Sequence, residues 1–115
     1  MTAGAQKMML IFCDETDMWR EDSLYSAIVR ILERSGIAGA TVVSGVMGYG
    51  IHRRIHARGL FGFSDEKPMT IVVIDTEHAI RAVLPTIIPM VKEGLITLHD
   101  AEVISTGYQP PVHPE

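Results

Sequence analysis

A single cysteine, Cys13, stands in 115 residues. No disulfide can close within the chain, and a reducing cytoplasm is the setting this composition implies. No apolar run approaches the roughly 20 residues that span a bilayer. The start, Met1-Thr2-Ala3-Gly4-Ala5-Gln6-Lys7, lacks the long apolar region of a secretory signal. A basic excess is missing too: the formal net charge is −4, which argues against general nucleic-acid binding.

What is present is a folded domain. Apolar residues make up 47% and charged residues 21% of the chain, a balance that separates it from disordered sequences. The length fits one domain with a modest core.

The apolar pattern runs through two copies of one unit. Residues 8–13 form a continuous apolar run of strand length, as a central strand requires. Leu24, Ala27, Ile28, Ile31 and Leu32 then fall on one helical stripe, with Asp22 or Ser23 to cap its start and Gly36 to end it. A Val- and Thr-rich strand is expected at about 40–47. The pattern recurs with a β-branched run from Met69 to Asp75, introduced by Pro68. A helical stripe follows at Ile80, Val83, Leu84, Ile87, Ile88 and Val91, with Lys92 in its last turn and Gly94 just beyond. Pro85 and Pro89 interrupt that helix and predict a kink or an irregular turn. A turn near His99-Asp100 and a last strand from Ala101 to Ser105 complete the unit.

Two βαβ units in series predict an α+β, ferredoxin-like domain over 7–105, with a four-stranded antiparallel sheet and both helices on one face. Residues 1–6 are expected to be disordered, and 106–115 to form a Pro-rich tail. The uncovered sheet face would be strongly apolar, which predicts an interface and a homo-oligomer.

Between the units lies the most unusual segment. The second strand stops at Gly45-Val46-Met47-Gly48-Tyr49-Gly50 and gives way to Ile51-His52-Arg53-Arg54-Ile55-His56-Ala57-Arg58. Core-forming periodicity resumes at Met69, and loops this long are usually functional or disordered. Arg53, Arg54, Arg58 and Lys67 face only Asp65 and Glu66 over residues 48–67, so an acidic chain concentrates positive charge on its longest loop. That points to a small anionic ligand or an acidic partner. Glycine allows positive φ and close backbone approach, so Gly45, Gly48 and Gly50 can form an anion nest around Tyr49; a strand end with a hinge explains them equally well.

Several of these residues resemble a known family. Leu24-Tyr25 at a helix start, Gly36-Ile37-Ala38-Gly39-Ala40-Thr41-Val42, the Gly45-x-x-Gly48-Tyr49-Gly50 cluster, Ile55-His56 and Val91-Lys92-Glu93-Gly94-Leu95-Ile96 resemble the PII-like proteins grouped as domain of unknown function 190. The likeness spans about residues 8–105. Phe63-Ser64-Asp65-Glu66-Lys67-Pro68 departs from the family pattern, with Lys67 in place of an apolar residue, and Ser23 stands where a proline is common.

The resemblance implies a PII-like homotrimer, not an enzyme, with no required cofactor. It implies that an adenine nucleotide (ATP, ADP or AMP) binds between subunits. That site would lie near the base of the 48–67 effector loop and the turn carrying Lys92 and Gly94. Loop order would then govern contact with a protein partner such as a membrane transporter or an enzyme. Two alternatives stay open: a metal-binding trimer resembling the copper-tolerance relatives of PII, and a small metal-assisted hydrolase. Both would use His52 and His56, whose spacing of four places them on one side of a helix, with Asp14, Glu15 and Asp17 as further oxygen ligands. Cys13 reads as a small buried residue with no nucleophile's partners. Trp19 reads as a contact to a ligand or a neighbouring subunit, or as a core residue.

Overall fold

The computed structural model describes residues 3–50, 56–57 and 67–107. Four strands, β1 (Gly4–Asp14), β2 (Ala40–Ser44), β3 (Pro68–Asp75) and β4 (Leu95–Val103), form one antiparallel sheet in the order β2-β3-β1-β4. Helix α1 (Leu24–Arg34) links β1 to β2, and α2 (Glu77–Ile87) follows β3. This is the split-βαβ arrangement expected from the repeated unit.

Register explains why one face is closed. Met9 pairs with Val73, Ile11 with Ile71 and Cys13 with Met69, so like-facing residues of the two central strands meet. Leu24, Ile28 and Leu32 of α1, and Ile80, Val83 and Ile87 of α2, join them in one buried cluster. Met9, Ile11, Ile28, Leu32, Ile71, Val73, Ile80 and Ile87 are fully buried. The alternate residues build the other face. Val43, Thr70, Phe12 and Leu95 form one row across all four strands, and Thr41, Val72, Leu10 and Thr97 the next. On that face Phe12, Val43 and Leu95 are exposed.

The helix ends follow local chemistry. Gly36 takes φ +80° after α1. The N–H of Ile37 donates to the Leu32 carbonyl, and that of Gly36 to the Glu33 carbonyl, a Schellman termination that also buries Ile37 beside Leu32. Thr76 caps α2, its hydroxyl accepting from the Ala79 N–H at 3.0 Å. The buried Asp75 carboxylate accepts from the N–H groups of Ala38 and Thr76 at 2.8 and 2.7 Å, tying the α1–β2 connection to the start of α2.

Four boundaries differ from the sequence expectation. Strand β1 begins at Gly4, because Gly4, Ala5 and Gln6 pair with Val103, Glu102 and Ala101; residues 4–6 are therefore not a disordered start. Strand β2 stops at Ser44, and Met47–Gly48 instead pairs with His56–Ala57 in a separate short ladder. The second helix keeps Pro85 inside but ends at Ile87, and Ile88–Met90 form a 3-10 turn containing Pro89. Lys92 thus lies beyond the helix rather than in its last turn. Strand β4 begins at Leu95, with no turn at His99-Asp100. Those polar residues fit the strand because Asp100 pairs with Lys7 across the ladder and forms an ion pair with it, while His99 Nε2 lies 2.8 Å from Thr97 Oγ1.

Candidate functional site

A cavity of about 440 Å³ opens where one end of the sheet meets the glycine cluster. Antiparallel pairing of β1 with β3 sets Phe12, Cys13 and Asp14 beside Pro68 and Met69. Pairing of Phe12 with Leu95 brings the turn before β4, with Lys92, Glu93 and Gly94, against the same strand end. Gly48, Tyr49 and Gly50 close the third side. Five of the residues singled out from sequence therefore meet: Gly48, Tyr49, Gly50, Lys92 and Gly94.

Two glycines make that meeting geometrically feasible. A Cβ on Gly94 would lie 2.0 Å from the Phe12 carbonyl oxygen and 2.7 Å from Val91 Cγ1, so a side chain there would drive the turn off β1. A Cβ on Gly45 would lie 2.6 Å from Pro68 Cγ. The Gly45 N–H donates to the Pro68 carbonyl at 2.7 Å, which pins the end of β2 to the start of β3. Gly45 thus supports the site from behind and is not among the cavity-lining residues.

The expected left-handed glycine nest is not formed at these positions. Among the described residues the glycines with positive φ are Gly4, Gly36 and Gly107. Close approach is the reason for Gly45 and Gly94. Gly48 has ordinary contact room at 3.4 Å from Pro68 Cγ, and Gly50 has open space.

Lys67 also sits outside the cavity lining. Its Nζ lies 3.6 Å from Glu15 Oε2, and its carbonyl accepts from the Glu15 N–H at 2.9 Å. These contacts tie the residue before β3 to the end of β1. The ion contact itself is long and partly solvated, and contributes little. Arg53, Arg54, Arg58 and His52 lie outside the described residues, as do 1–2 of the amino-terminal segment and 108–115 of the tail. The backbone of His56 pairs opposite Gly48.

Walls of the cavity are mixed in character. Phe12, Pro68, Met69 and Leu95 supply apolar surface, while Asp14, Glu93 and Lys92 supply charge. Cys13 lines it as well, yet burial, followed by the nearby Asp17 and Asp14 carboxylates, pushes its thiol up to about 12. It is held as a neutral thiol at physiological pH and lacks the thiolate that nucleophilic attack needs. Among the described residues no group of three or more His, Cys, Asp or Glu side chains is placed to hold a metal ion. Trp19 is partly buried and packs against the core cluster, with the Arg20 guanidinium 5.6 Å from its ring centre.

Sequence reading missed Phe12, Pro68, Met69, Glu93 and Leu95 as cavity-lining residues, and considered Asp14 only as a metal ligand. Their signal lay in register. Once β1 and β3 are antiparallel, the end of one and the start of the other must flank whatever the glycine segment covers.

The geometry is that of a PII-like fold. The structure aligns with CPII, a nitrogen regulatory PII-like protein from Thiomonas intermedia K12 bound to ADP, AMP and bicarbonate. The TM-score is 0.67 at 20% identity, over 89% of this chain and 91% of that one. The apo form of CPII aligns with a TM-score of 0.60 at 18% identity, over 89% of this chain and 95% of that one. Sequence comparison assigns the family: the DUF190 model, described as Uncharacterized ACR, matches residues 6–103, and the chain belongs to that family. Similar proteins include the UPF0166 protein MJ1524 of Methanocaldococcus jannaschii, 37% identical over 84% of this chain and 90% of its own length. A UPF0166 protein of Aquifex aeolicus is 32% identical over 90% of this chain and 98% of its own length. Among the described residues no helix is long and apolar enough to cross a membrane.

Proposed function

We propose that this protein is a PII-like regulatory protein, without enzymatic activity, that binds an adenine nucleotide in the cavity at the loop base. The observation that carries this reading is the convergence of Gly48, Tyr49 and Gly50 with Lys92 and Gly94 around one cavity of about 440 Å³. Its volume lies in the range of small-molecule sites, and its apolar walls with a few polar groups fit the usual make-up of such sites. Bound ADP and AMP in the similarly folded CPII support the choice of nucleotide.

In this reading Phe12, Met69 and Leu95 give the nucleotide apolar contact, and Lys92 meets phosphate as a point charge. Arg53, Arg54 and Arg58 add positive charge from the loop. The apolar open face is covered by further copies of the chain, three in all as the family resemblance implies, so a neighbouring subunit completes the site. Binding shifts the 48–67 loop because the ligand has different affinity for its two states. The shifted loop then alters contact with a partner, a transporter or an enzyme in the cytoplasm.

Calorimetry with AMP, ADP and ATP tests the assignment. Micromolar binding of at least one nucleotide is expected. Lys92→Gln should weaken it roughly three- to tenfold, a modest loss because the side chain is exposed. Arg58→Ala should weaken it roughly ten- to a hundredfold if its phosphate bond is sheltered from water. Absence of binding up to millimolar concentration would leave the basic loop as a docking surface for an acidic protein.

A further inference from the structure

The open face of the sheet carries an imidazole well away from the cavity. His99 pairs with Met8 across the β1–β4 ladder, and Met8 pairs with Ile74 of β3, so these three form one row on that face. Gln6 and Leu10 lie diagonally across on β1, and Thr97 and Ala101 flank His99 along β4. Both helices pack on the other face, where Lys7 and Asp100 pair with each other. Among the described residues the one other titratable side chain at an open-face register position is Asp14, about 20 Å along β1 from Met8. Such a face suits a second copy of itself better than a charged partner. Its four strands present roughly 400–500 Å² per chain, so three copies would together cover roughly 1,200–1,500 Å², enough for a specific interface.

We propose that His99 makes assembly through this face sensitive to pH, the neutral ring being admitted and the protonated ring expelled. This deepens the assembly reading and rests on it. In the single chain His99 is exposed and water can solvate its charge. Covered by another copy, the ring sits among Met8, Leu10 and Ile74, and the charged form loses that hydration. Thr97 Oγ1, 2.8 Å from Nε2, keeps one ring nitrogen hydrogen-bonded whichever of the two donates. The assembled state therefore binds fewer protons than the separate chains, so acid favours separation. Imidazole takes up its proton near about pH 6.5, and each subunit then weakens association by up to about tenfold per pH unit below that.

The experiment is sedimentation velocity of the full chain over a range of concentrations at about pH 8 and about pH 5.5, with far-ultraviolet circular dichroism on the same samples. Wild type should associate at least about tenfold more weakly at the lower pH, with its secondary structure intact. His99→Gln keeps a neutral polar side chain at both pH values, and its association should be the same at both. Wild-type association that does not change with pH overturns the proposal while leaving the assembly reading in place. So does a His99→Gln variant that separates in acid as wild type does, or separation that accompanies loss of secondary structure. A wild type that is a single chain at about pH 8 removes the assembly reading itself, and the proposal with it.

Discussion

The two faces of one sheet are built from alternate residues of the same strands, yet they meet different fates. Met9 and Ile11 are fully buried beneath α1 and α2, while Phe12, one residue on, is 36% exposed, and Val43 and Leu95 reach 49% and 58%. Both sets are apolar. Strand β1 therefore lacks the apolar–polar alternation of a sheet with one wet face. The difference teaches that the covered face holds the chain's own fold together, while the open face is left for the contact with another copy proposed above. At one end of the sheet the two faces meet: Cys13 from the covered side and Phe12 from the open side both line the cavity.

Mutating adjacent residues of β1 tests that division with the largest effect. Ile11→Ala should destabilise the fold by about 2–5 kcal/mol, the usual cost of emptying a closed core site. Urea denaturation at fixed protein concentration measures it. Leu10→Glu should instead leave the secondary structure and break the assembly. Light scattering should fall from about three times the 12.7 kDa chain mass to the chain mass itself. A Leu10→Glu protein that still assembles like wild type would remove the open face as the interface.

Glycine substitutions sharpen the comparison where the faces join. Gly94→Ala places a Cβ 2.0 Å from the Phe12 carbonyl oxygen, and should cost about 1–3 kcal/mol as the turn shifts. Gly50→Ala meets nothing within 4 Å and has no positive φ, so its thermal midpoint should stay near wild type. Equal midpoints for the two variants would show that the 91–94 turn relaxes freely and is not a fixed wall of the cavity.

Cys13 provides the smallest test, one of how closed the covered face is at the site end. Its thiol rises from 9.0 to about 12 in the folded chain. Between those values the unfolded chain binds fewer protons than the native one, so this contribution to stability is full below pH 9 and falls as pH rises toward 12. Native protein should also react with iodoacetamide far more slowly at pH 9 than urea-unfolded protein does. Comparable rates would mean that the thiol is open to water.

Much of this architecture was legible from spacing and caps. The stripe at Leu24, Ile28 and Leu32 and the stop at Gly36 are local features, and each stands where expected. The β4 boundary was not legible, because His99 and Asp100 read as turn residues until Lys7 is placed opposite Asp100. Pairing across the sheet outweighed local propensity there. The early start of β1 has the same cause, since Gly4 is a strand residue by virtue of Val103. For the site, sequence pointed to the glycines and to Lys92 but left the reason for the glycines open between a nest and a strand-end hinge. Their φ values are ordinary at 45, 48, 50 and 94, and steric contact with Pro68 and Phe12 explains Gly45 and Gly94.

The sequence by itself determined the two βαβ units, the end of α1 at Gly36, and the apolar character of both sheet faces. These depend on interactions within a few residues, on side-chain periodicity and on composition, all present in the chain before it folds. Tertiary structure alone decided which strand ends would adjoin, and so which residues would line the cavity. Phe12, Met69 and Glu93 are far apart in sequence and acquire a common wall only through the register of β1 with β3 and β4. It also decided the roles of Lys67, drawn to Glu15 behind the site, and of Gly94, whose missing side chain matters because the Phe12 carbonyl occupies the space where it would stand.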